Sequence, residues 1–568
     1  MDNGAYQPEQ EIKSSILLNT FQIDKKSYRV FYNNETLIWE KIKNNKSKVI
    51  IPIHDVISVC YPKRKSSQPT PQVTPSLTSP QHTQQIYHDA NDDNRSITIN
   101  YAKRCIDPKV ESGKSSKNCG DRNKWRIHSV TLHSNDKYII KEWHDTLNKI
   151  LNALKRPRKL LLFINPYGGK KNALQLYEKY AKPIFRMANV DVSVIISQRP
   201  NQIFDLVMQQ QLDQYDGIIC SGGDGTFSEL FNGLIYRKML SEHSNGMESN
   251  EELNLDNENI PSPDIPCGII PAGSTDTIAY CLHGTTDIKT CIIHIVLGQV
   301  SGFDISSISN DKGLIKFYAS VVAYGFLGDI SFEQENYRFL GPRRYEWVGF
   351  KKVLLNRGYD VEVLIHQDNA LSSTNQGQNS VNNCDKIKCY ENCSVCSMPS
   401  TSTANMKKAN EEEKFKKITG RFFMVNLANI SCACQRSPSG MSPYCHLADG
   451  YNDIILVRHG NIFQNLRFLI KLSSKTGQIT DFPFVEMYRT NKVYFKALNS
   501  TSEGSLTDST QPISNLGPNK YTSVWNCDGE IVQDTDVIIR AHRKLLPVFY
   551  RGPVQEDLEN KSRGCCCC

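Results

Sequence analysis

The sequence predicts an α/β domain on a parallel sheet, preceded by an N-terminal β domain and followed by a β-rich, sandwich-like second lobe. Three observations carry that prediction. From Lys159 to Asp276, short apolar runs alternate with amphipathic stretches, the order expected of parallel strands joined by right-handed helical crossovers. Three of those runs end in polar, glycine-bearing turns. On both sides of this region the helical spacing gives way to strand-like alternation.

The N-terminal block covers residues 14–155. Ser27-Tyr28-Arg29-Val30-Phe31-Tyr32, the turn Asn33-Asn34 and Thr36-Leu37-Ile38-Trp39 read as a hairpin. Further strands are expected at Lys48 to Ile53, Ile97 to Tyr101 and Trp125 to Leu132. The Ser/Pro/Gln/Thr-rich stretch Lys65 to Asn94 reads as a disordered loop. Asp136 to Lys155 closes the block as a helix, with Ile139, Trp143, Leu147, Ile150 and Leu154 at helical spacing. Several strands and one late helix with a central tryptophan resemble a pleckstrin-homology domain. That resemblance implies membrane docking, with Lys25, Lys26 and Arg29 facing a phosphoinositide or another anionic headgroup. The alternative is solvated charges and a tryptophan that is plain core.

Residues 158–301 form the α/β block. The strand Lys159 to Ile164 ends in Asn165-Pro166-Tyr167-Gly168-Gly169-Lys170, and a helix follows from Ala173 to Met187. A strand Asp191 to Ser197 and a helix Asn201 to Leu212 come next. The strand Gly217 to Cys220 then meets Ser221-Gly222-Gly223-Asp224-Gly225-Thr226, and Phe227 to Ile235 continues as a helix. After a polar insert, Ser241 to Asp264, the strand Cys267 to Ile270 runs into Pro271-Ala272-Gly273-Ser274-Thr275-Asp276. In an open parallel sheet the carboxyl ends of the strands share one edge, where ligands bind. Glycines there let a ligand approach the main chain, and helix starts offer unpaired N–H groups suited to phosphate. Asp224 is the one charged group of its turn. Beside a phosphate it would repel unless it holds a metal or takes a proton from an attacking hydroxyl. A tight turn with an aspartate cap is the plainer alternative.

Residues 302–550 are β-rich. Strands are expected at Phe317 to Tyr324, Phe422 to Leu427 and Ile454 to Val457, which suggests a sandwich. Tyr337 to Tyr345 carries Arg338 and Arg344, and Trp525 to Glu530 is a turn with two carboxylates.

Bulk properties narrow the classes. The 568 residues carry 67 basic and 59 acidic side chains, a net +8. That permits an anionic membrane surface as partner and gives no ground for nucleic-acid binding. No apolar run is long enough for a transmembrane helix, and the first residues are too polar for a signal peptide. Nineteen cysteines in that context are expected to be reduced thiols in the cytosol. The expected location is therefore cytoplasmic, with any membrane contact peripheral.

With its three turns in this order, the chain resembles the diacylglycerol-kinase-like lipid kinases, which include sphingosine and ceramide kinases, over residues 158 to about 550. The resemblance implies an α/β nucleotide-binding domain whose β-rich lobe returns to the nucleotide cleft, with ATP and Mg²⁺ as cofactors. It places Asn165, Pro166, Tyr167, Gly168, Gly169, Ser197, Asn201 and Glu229 at the nucleotide. It adds Arg338, Arg344, Asp528, Gly529 and Glu530 there, the arginines on the phosphates. The resemblance also implies that Gly222, Gly223 and Gly225 face the lipid hydroxyl, with Asp224 as general base and Glu530 in reserve. NAD kinases and phosphofructokinases share Gly-Gly-Asp-Gly turns but act on soluble substrates.

Cys389-x3-Cys393-x2-Cys396, Ser431 to Pro443 and Ser523 to Glu530 resemble the ceramide kinases within that family, which implies ceramide as acceptor. Gln435 and Ser523-Val524-Trp525 depart from the pattern. Sphingosine or diacylglycerol kinase activity, or a silent membrane adaptor, are the alternatives. Cys384, Cys389, Cys393 and Cys396 either bind zinc or are plain reduced thiols in a flexible loop. Leu456 to Leu469, with Arg458 and Arg467, is the segment where the resemblance implies calmodulin; His459-Gly460 weakens its helical character. The tail 551–568 ends in Cys565 to Cys568, either acylated or without function.

Overall fold

The computed structural model describes residues 16–42, 48–62, 94–105, 123–169, 171–246, 260–367, 387–398, 414–472, 474, 479–498 and 522–555. Lys170, Cys384, Cys565 to Cys568 and nearly all of the expected loop Lys65 to Asn94 lie outside them. The chain divides into two compact units: Met1–Cys105 and Trp125–Arg156, grouped with Phe185–Asn189, form one, and the remainder forms the other.

The first unit is an antiparallel sheet of β1 (Leu17–Ile23), β2 (Lys26–Asn33), β3 (Thr36–Lys41), β4 (Lys48–Pro52), β5 (Val56–Cys60), β6 (Ser96–Arg104) and β7 (Trp125–His133). The strand order is β4-β3-β2-β1-β7-β6-β5. The expected hairpin is β2–β3, turning at Asn34 and Glu35, both with positive φ as a tight hairpin turn needs. Helix α1 (Lys137–Ala153) starts at Asp136, whose carboxylate accepts the Tyr138 N–H at 2.8 Å. Its buried side is Ile140, Trp143, Leu147, Ile150 and Leu151. Trp143 is core: its ring meets Phe21 edge-on at 5.1 Å, and its N–H donates to Asn19 at 2.7 Å. Burying side chains of this size contributes about 1.5–3 kcal/mol each.

In the second unit, β8 (Lys159–Ile164), β9 (Asp191–Ile196), β10 (Gly217–Gly222) and β11 (Cys267–Pro271) are parallel, in the order β9-β8-β10-β11. β10 and β11 are buried throughout, as strands covered on both faces must be. Around them lie α2 (Gln202–Gln209), α3 (Asp224–Gly246), α4 (Thr277–His283) and α5 (Ile288–Leu297). The helix α3 runs past its expected end at Ile235, taking up the start of the polar insert. The expected stripe Phe227, Leu230, Phe231 and Leu234 is buried.

The β-rich half follows as β12 (Val300–Asn310), β13 (Gly313–Tyr318), β14 (Val321–Gly325), α6 (Phe326–Glu333), a 3-10 turn (Gln334–Arg343) and α7 (Arg344–Leu355). Then come β15 (Tyr359–His366), β16 (Phe415–Ala428), β17 (Asn452–Arg458), α8 (Ile462–Leu472), β18 (Val485–Thr490) and β19 (Lys492–Ala497). The hairpin β20 (Trp525–Cys527) and β21 (Glu530–Val532) precedes the last strand, β22 (Asp536–Phe549). The inner faces of these strands bury Tyr318, Tyr324, Tyr359, Phe495 and Trp525 in one cluster. This half joins the parallel half edge to edge. β22 pairs with β19 at its start and lies parallel to β11 at its end, with Val548 opposite Cys267. One mixed sheet therefore runs through the whole unit. Leu456 to Leu469 is not helical throughout: Leu456 and Val457 are buried in β17, and α8 begins only at Ile462.

Candidate active site

The three glycine turns meet. Asn165 at the end of β8 accepts the N–H groups of Tyr167 (3.0 Å) and Gly168 (3.2 Å), and its amide donates to Thr226 Oγ1 at 3.0 Å. The first turn is thereby pinned to the start of α3. A Cβ on Gly169 (φ +55°) would stand 2.5 Å from the Ala272 carbonyl oxygen. A Cβ on Gly273 would stand 2.5 Å from Gly223 Cα. Backbone against backbone at this range admits no side chain, which is why these positions are glycine.

Asp224 opens α3 and faces the start of α4. Its oxygens accept the N–H groups of Thr277 (3.0 Å) and Ile278 (2.9 Å). Burial pushes its carboxyl above the usual carboxylate range; the two N–H groups pull the other way, and Asp528 adds to the rise. A carboxylate offers about four lone-pair sites, so two bonds leave room for a hydroxyl. Asp276 accepts the Gly273 N–H at 2.8 Å and shapes the third turn from within.

Glu229, one turn further along α3, reaches the start of α2. It accepts the Ile203 N–H at 3.3 Å, and the Asn201 N–H also bonds to it. Asn201 precedes α2 in a left-handed conformation. Ser197 is buried, its hydroxyl directed at the Ile164 carbonyl (3.3 Å). Tyr167 is exposed. The residues expected on the nucleotide side thus line the strand ends from β9 to β10.

The returning hairpin comes near enough to act electrostatically on Asp224 and Glu229. Asp528 and Gly529 form its turn, both with positive φ. The Asp528 carboxylate accepts the N–H groups of Ala319 (2.7 Å), Ser320 and Val321 (both 3.1 Å), and the Ser320 hydroxyl. Its oxygens are engaged in holding the β13–β14 connection. Glu530 pairs with Lys316 at 2.5 Å, and both act electrostatically on Glu229. Nothing in the sequence marks Lys316, a basic residue beside an alternating strand like many solvated ones.

The expected arginines lie on a separate mount. Arg338 falls within the 3-10 turn, and Arg344 begins α7. Arg344 packs its guanidinium over Tyr345 at 5.1 Å and donates to the Tyr345 hydroxyl, while its Nε is buried without a partner among the described residues. Its contacts do not bring it onto the glycine turns. The mount itself is fixed: buried Lys352 of α7 pairs with Glu333 of α6 at 2.7 Å, and Tyr359 donates to buried Asp329 at 2.5 Å. The remaining wall comes from the loop after β16. The Ser431 hydroxyl lies 3.3 Å from the thiol of Cys281, on the helix that holds Asp224.

Residues 159–308 match the family described as diacylglycerol kinase catalytic domain, and 367–568 match the ceramide kinase C-terminal domain. Fold, turns and match define an ATP-dependent lipid kinase. The chain is 35% identical to human ceramide kinase over 456 residues, covering 76% of this chain and 81% of that one. It is 30% identical to Arabidopsis thaliana ceramide kinase over 500 residues, covering 76% and 79%. A solved putative diacylglycerol kinase from Bacillus anthracis str. Sterne aligns with 69% of this chain and 97% of its own, at 15% identity and a TM-score of 0.42. The chain belongs to the ceramide kinase family.

Proposed function

We propose that this protein transfers the γ-phosphoryl group of ATP to the primary hydroxyl of ceramide, giving ceramide 1-phosphate. The seat of Asp224 carries the reading: an acid raised by burial, held by two N–H groups, beside three glycine turns in contact. The glycine turns receive the triphosphate with main-chain N–H groups. Asp224 orients the lipid hydroxyl and accepts its proton as the oxygen attacks the γ-phosphorus and ADP departs. Asp224 fits Mg²⁺, which is usually held by one or two carboxylates together with substrate phosphates: it keeps lone pairs to spare, whereas the Asp528 oxygens are taken by the β13–β14 connection and Asp528 acts on Asp224 only electrostatically. Mg²⁺ supplies charge neutralisation on the phosphate oxygens.

The acceptor is a membrane lipid, and no helix among the described residues is long and apolar enough to cross a membrane. The enzyme in this reading docks peripherally on the cytosolic face. Trp347, Phe350 and Leu354 form an exposed stripe on α7, and Phe463, Leu466 and Ile470 form another on the adjoining α8. Exposed Arg343 and Arg467 flank them, which suits an anionic bilayer. The N-terminal unit, of pleckstrin-homology type in this reading, offers Lys25, Lys26 and Arg29 to a headgroup.

The test is ATP-dependent labelling of mixed micelles holding ceramide, sphingosine and diacylglycerol. Ceramide should be labelled first, and Asp224→Asn should lower kcat by about 10²–10⁴-fold with little change in the KM for ATP. Full-rate labelling by the variant removes Asp224 as base; preference for another acceptor removes the ceramide reading. Trp347→Glu with Phe463→Glu should weaken binding to anionic vesicles and leave the fold intact.

A further inference from the structure

Far along the chain from the glycine turns, four metal-ligating side chains gather. The ligand atoms of Cys389, Cys393, Cys396 and His446 all lie within 4.8 Å of one another. Cys389 and Cys396 place their sulfurs 3.6 Å apart, and Cys393 Sγ lies 3.3 Å from His446 Nδ1. A tetrahedral Zn²⁺ with Zn–S of about 2.3 Å and Zn–N of about 2.0 Å spaces its ligands at about 3.8 Å between sulfurs and about 3.5 Å between sulfur and nitrogen. A disulfide needs about 2.05 Å. The spacing found is that of a coordination shell and is far too long for a bond.

Local structure explains how the sulfurs converge. Cys393 begins the single helical turn Ser394–Ser397, where its carbonyl accepts the Ser397 N–H at 3.0 Å and hydroxyl at 2.8 Å. Cys393 and Cys396 therefore stand three residues apart on one side of a turn. Asn392, with φ +58°, folds the preceding chain back so that Cys389 joins them. The segment is pinned from outside as well: Glu391 donates its N–H to the Pro553 carbonyl at 2.8 Å. His446 comes from a different part of the fold and is buried. Its neighbour Cys445 is buried too, its thiol directed at the Ala428 carbonyl at the end of β16.

We propose that Cys389, Cys393, Cys396 and His446 form a closed structural Zn²⁺ site that fastens segment 387–398 to the loop following β16. The fourth ligand is His446, in place of Cys384, the fourth thiolate that the sequence offers. Four protein ligands leave no open position, so the site is structural and takes no part in phosphoryl transfer. The loop fastened at His446 is the one whose Ser431 touches Cys281 beside the seat of Asp224. Zinc at one end of that loop steadies a wall of the cleft at the other.

The experiment is elemental analysis of the full-length protein, purified without chelator and then dialysed against a weak one. About one zinc per chain is expected, released together with thiol reactivity on adding a strong chelator. His446→Ala and Cys393→Ser should fall below about a tenth of an equivalent, while His446→Cys retains zinc by restoring four ligands. Cobalt exchanged into the wild type should show the visible bands of tetrahedral thiolate coordination, a readout independent of any variant's folding. Wild-type protein free of zinc overturns the proposal, whether its thiols are free or joined in a disulfide. So does zinc that is unchanged in His446→Ala.

Discussion

The glycine-turn cleft and the cysteine–histidine cluster both bring distant loops to one point, by opposite means. At the cleft the approach is made by what is missing. Gly169, Gly223 and Gly273 carry no side chains, so three turns touch through their backbones. At the cluster the approach is made by side chains: three sulfurs from one short segment and an imidazole from another part of the chain converge. The first arrangement leaves main-chain N–H groups free to meet a polyanion that comes and goes. The second uses up its ligand atoms and suits something that stays.

The largest effect on the comparison is expected from Gly273→Ala. The new methyl would stand 2.5 Å from Gly223 Cα and 2.7 Å from an Asp276 oxygen, so two turns must separate. A loss of about 1–3 kcal/mol is expected in urea unfolding, with loss of ATP binding. An unchanged unfolding midpoint would mean that the cleft is not closed by backbone contact.

The same contrast explains what the sequence disclosed. A strand, a glycine turn and a helix start are local, so Asn165, Gly222 to Gly225 and the stripe on α3 could be read in order from the chain. The cluster needs a ligand fifty residues away from Cys396, since His446 arrives through the folding of β16 and β17. No local period marks it. The joining of the two halves was hidden for a related reason. β22 changes partners along its length, and its apolar alternation breaks near Lys544, whose φ is +52°. Asp528 could be read from the chain as a turn carboxylate, but its grip on the β13–β14 backbone, far back in the sequence, could not. Lys316, the partner of Glu530, became visible only through the ion pair that the folded chain forms.

A next, smaller effect concerns pH. The base must be ionised to act, and burial raises the Asp224 carboxyl above its ordinary range. Activity should therefore fall as pH drops through that raised value, with the acid limb of kcat/KM above the usual carboxylate range. Stability runs the other way. The folded state favours the protonated acid, so its contribution is complete below the unfolded carboxylate pKa and is lost as pH rises through the folded one. An acid limb at the ordinary carboxylate position, or one retained unchanged in Asp224→Asn, would take the base role from this residue.

Gly225→Ala separates approach from packing. Nothing lies within 4 Å of a Cβ built there, and the residue is inside α3. Stability should be unchanged or rise by up to about 1 kcal/mol, since alanine favours helix. Activity toward lipid in micelles should nevertheless fall, because the methyl would occupy the space through which the hydroxyl approaches Asp224. Full activity in this variant would move the acceptor path to another side of the turn.

The smallest effect is expected from Glu530→Gln, and it decides between the two candidate bases. Glu530 is 57% exposed and pairs with Lys316 at 2.5 Å. A pair with one partner this exposed contributes about 1 kcal/mol, so unfolding should shift little. Removing its charge also relieves Glu229, whose carboxyl Glu530 helps to raise, and leaves Glu229 readier to hold the start of α2 as an anion. The KM for ATP should move slightly while kcat stays within about threefold, a change of about 0.7 kcal/mol. A fall in kcat as deep as that of Asp224→Asn would place proton transfer on the returning hairpin, and the cleft would then owe its chemistry to a side chain that the glycine turns do not carry.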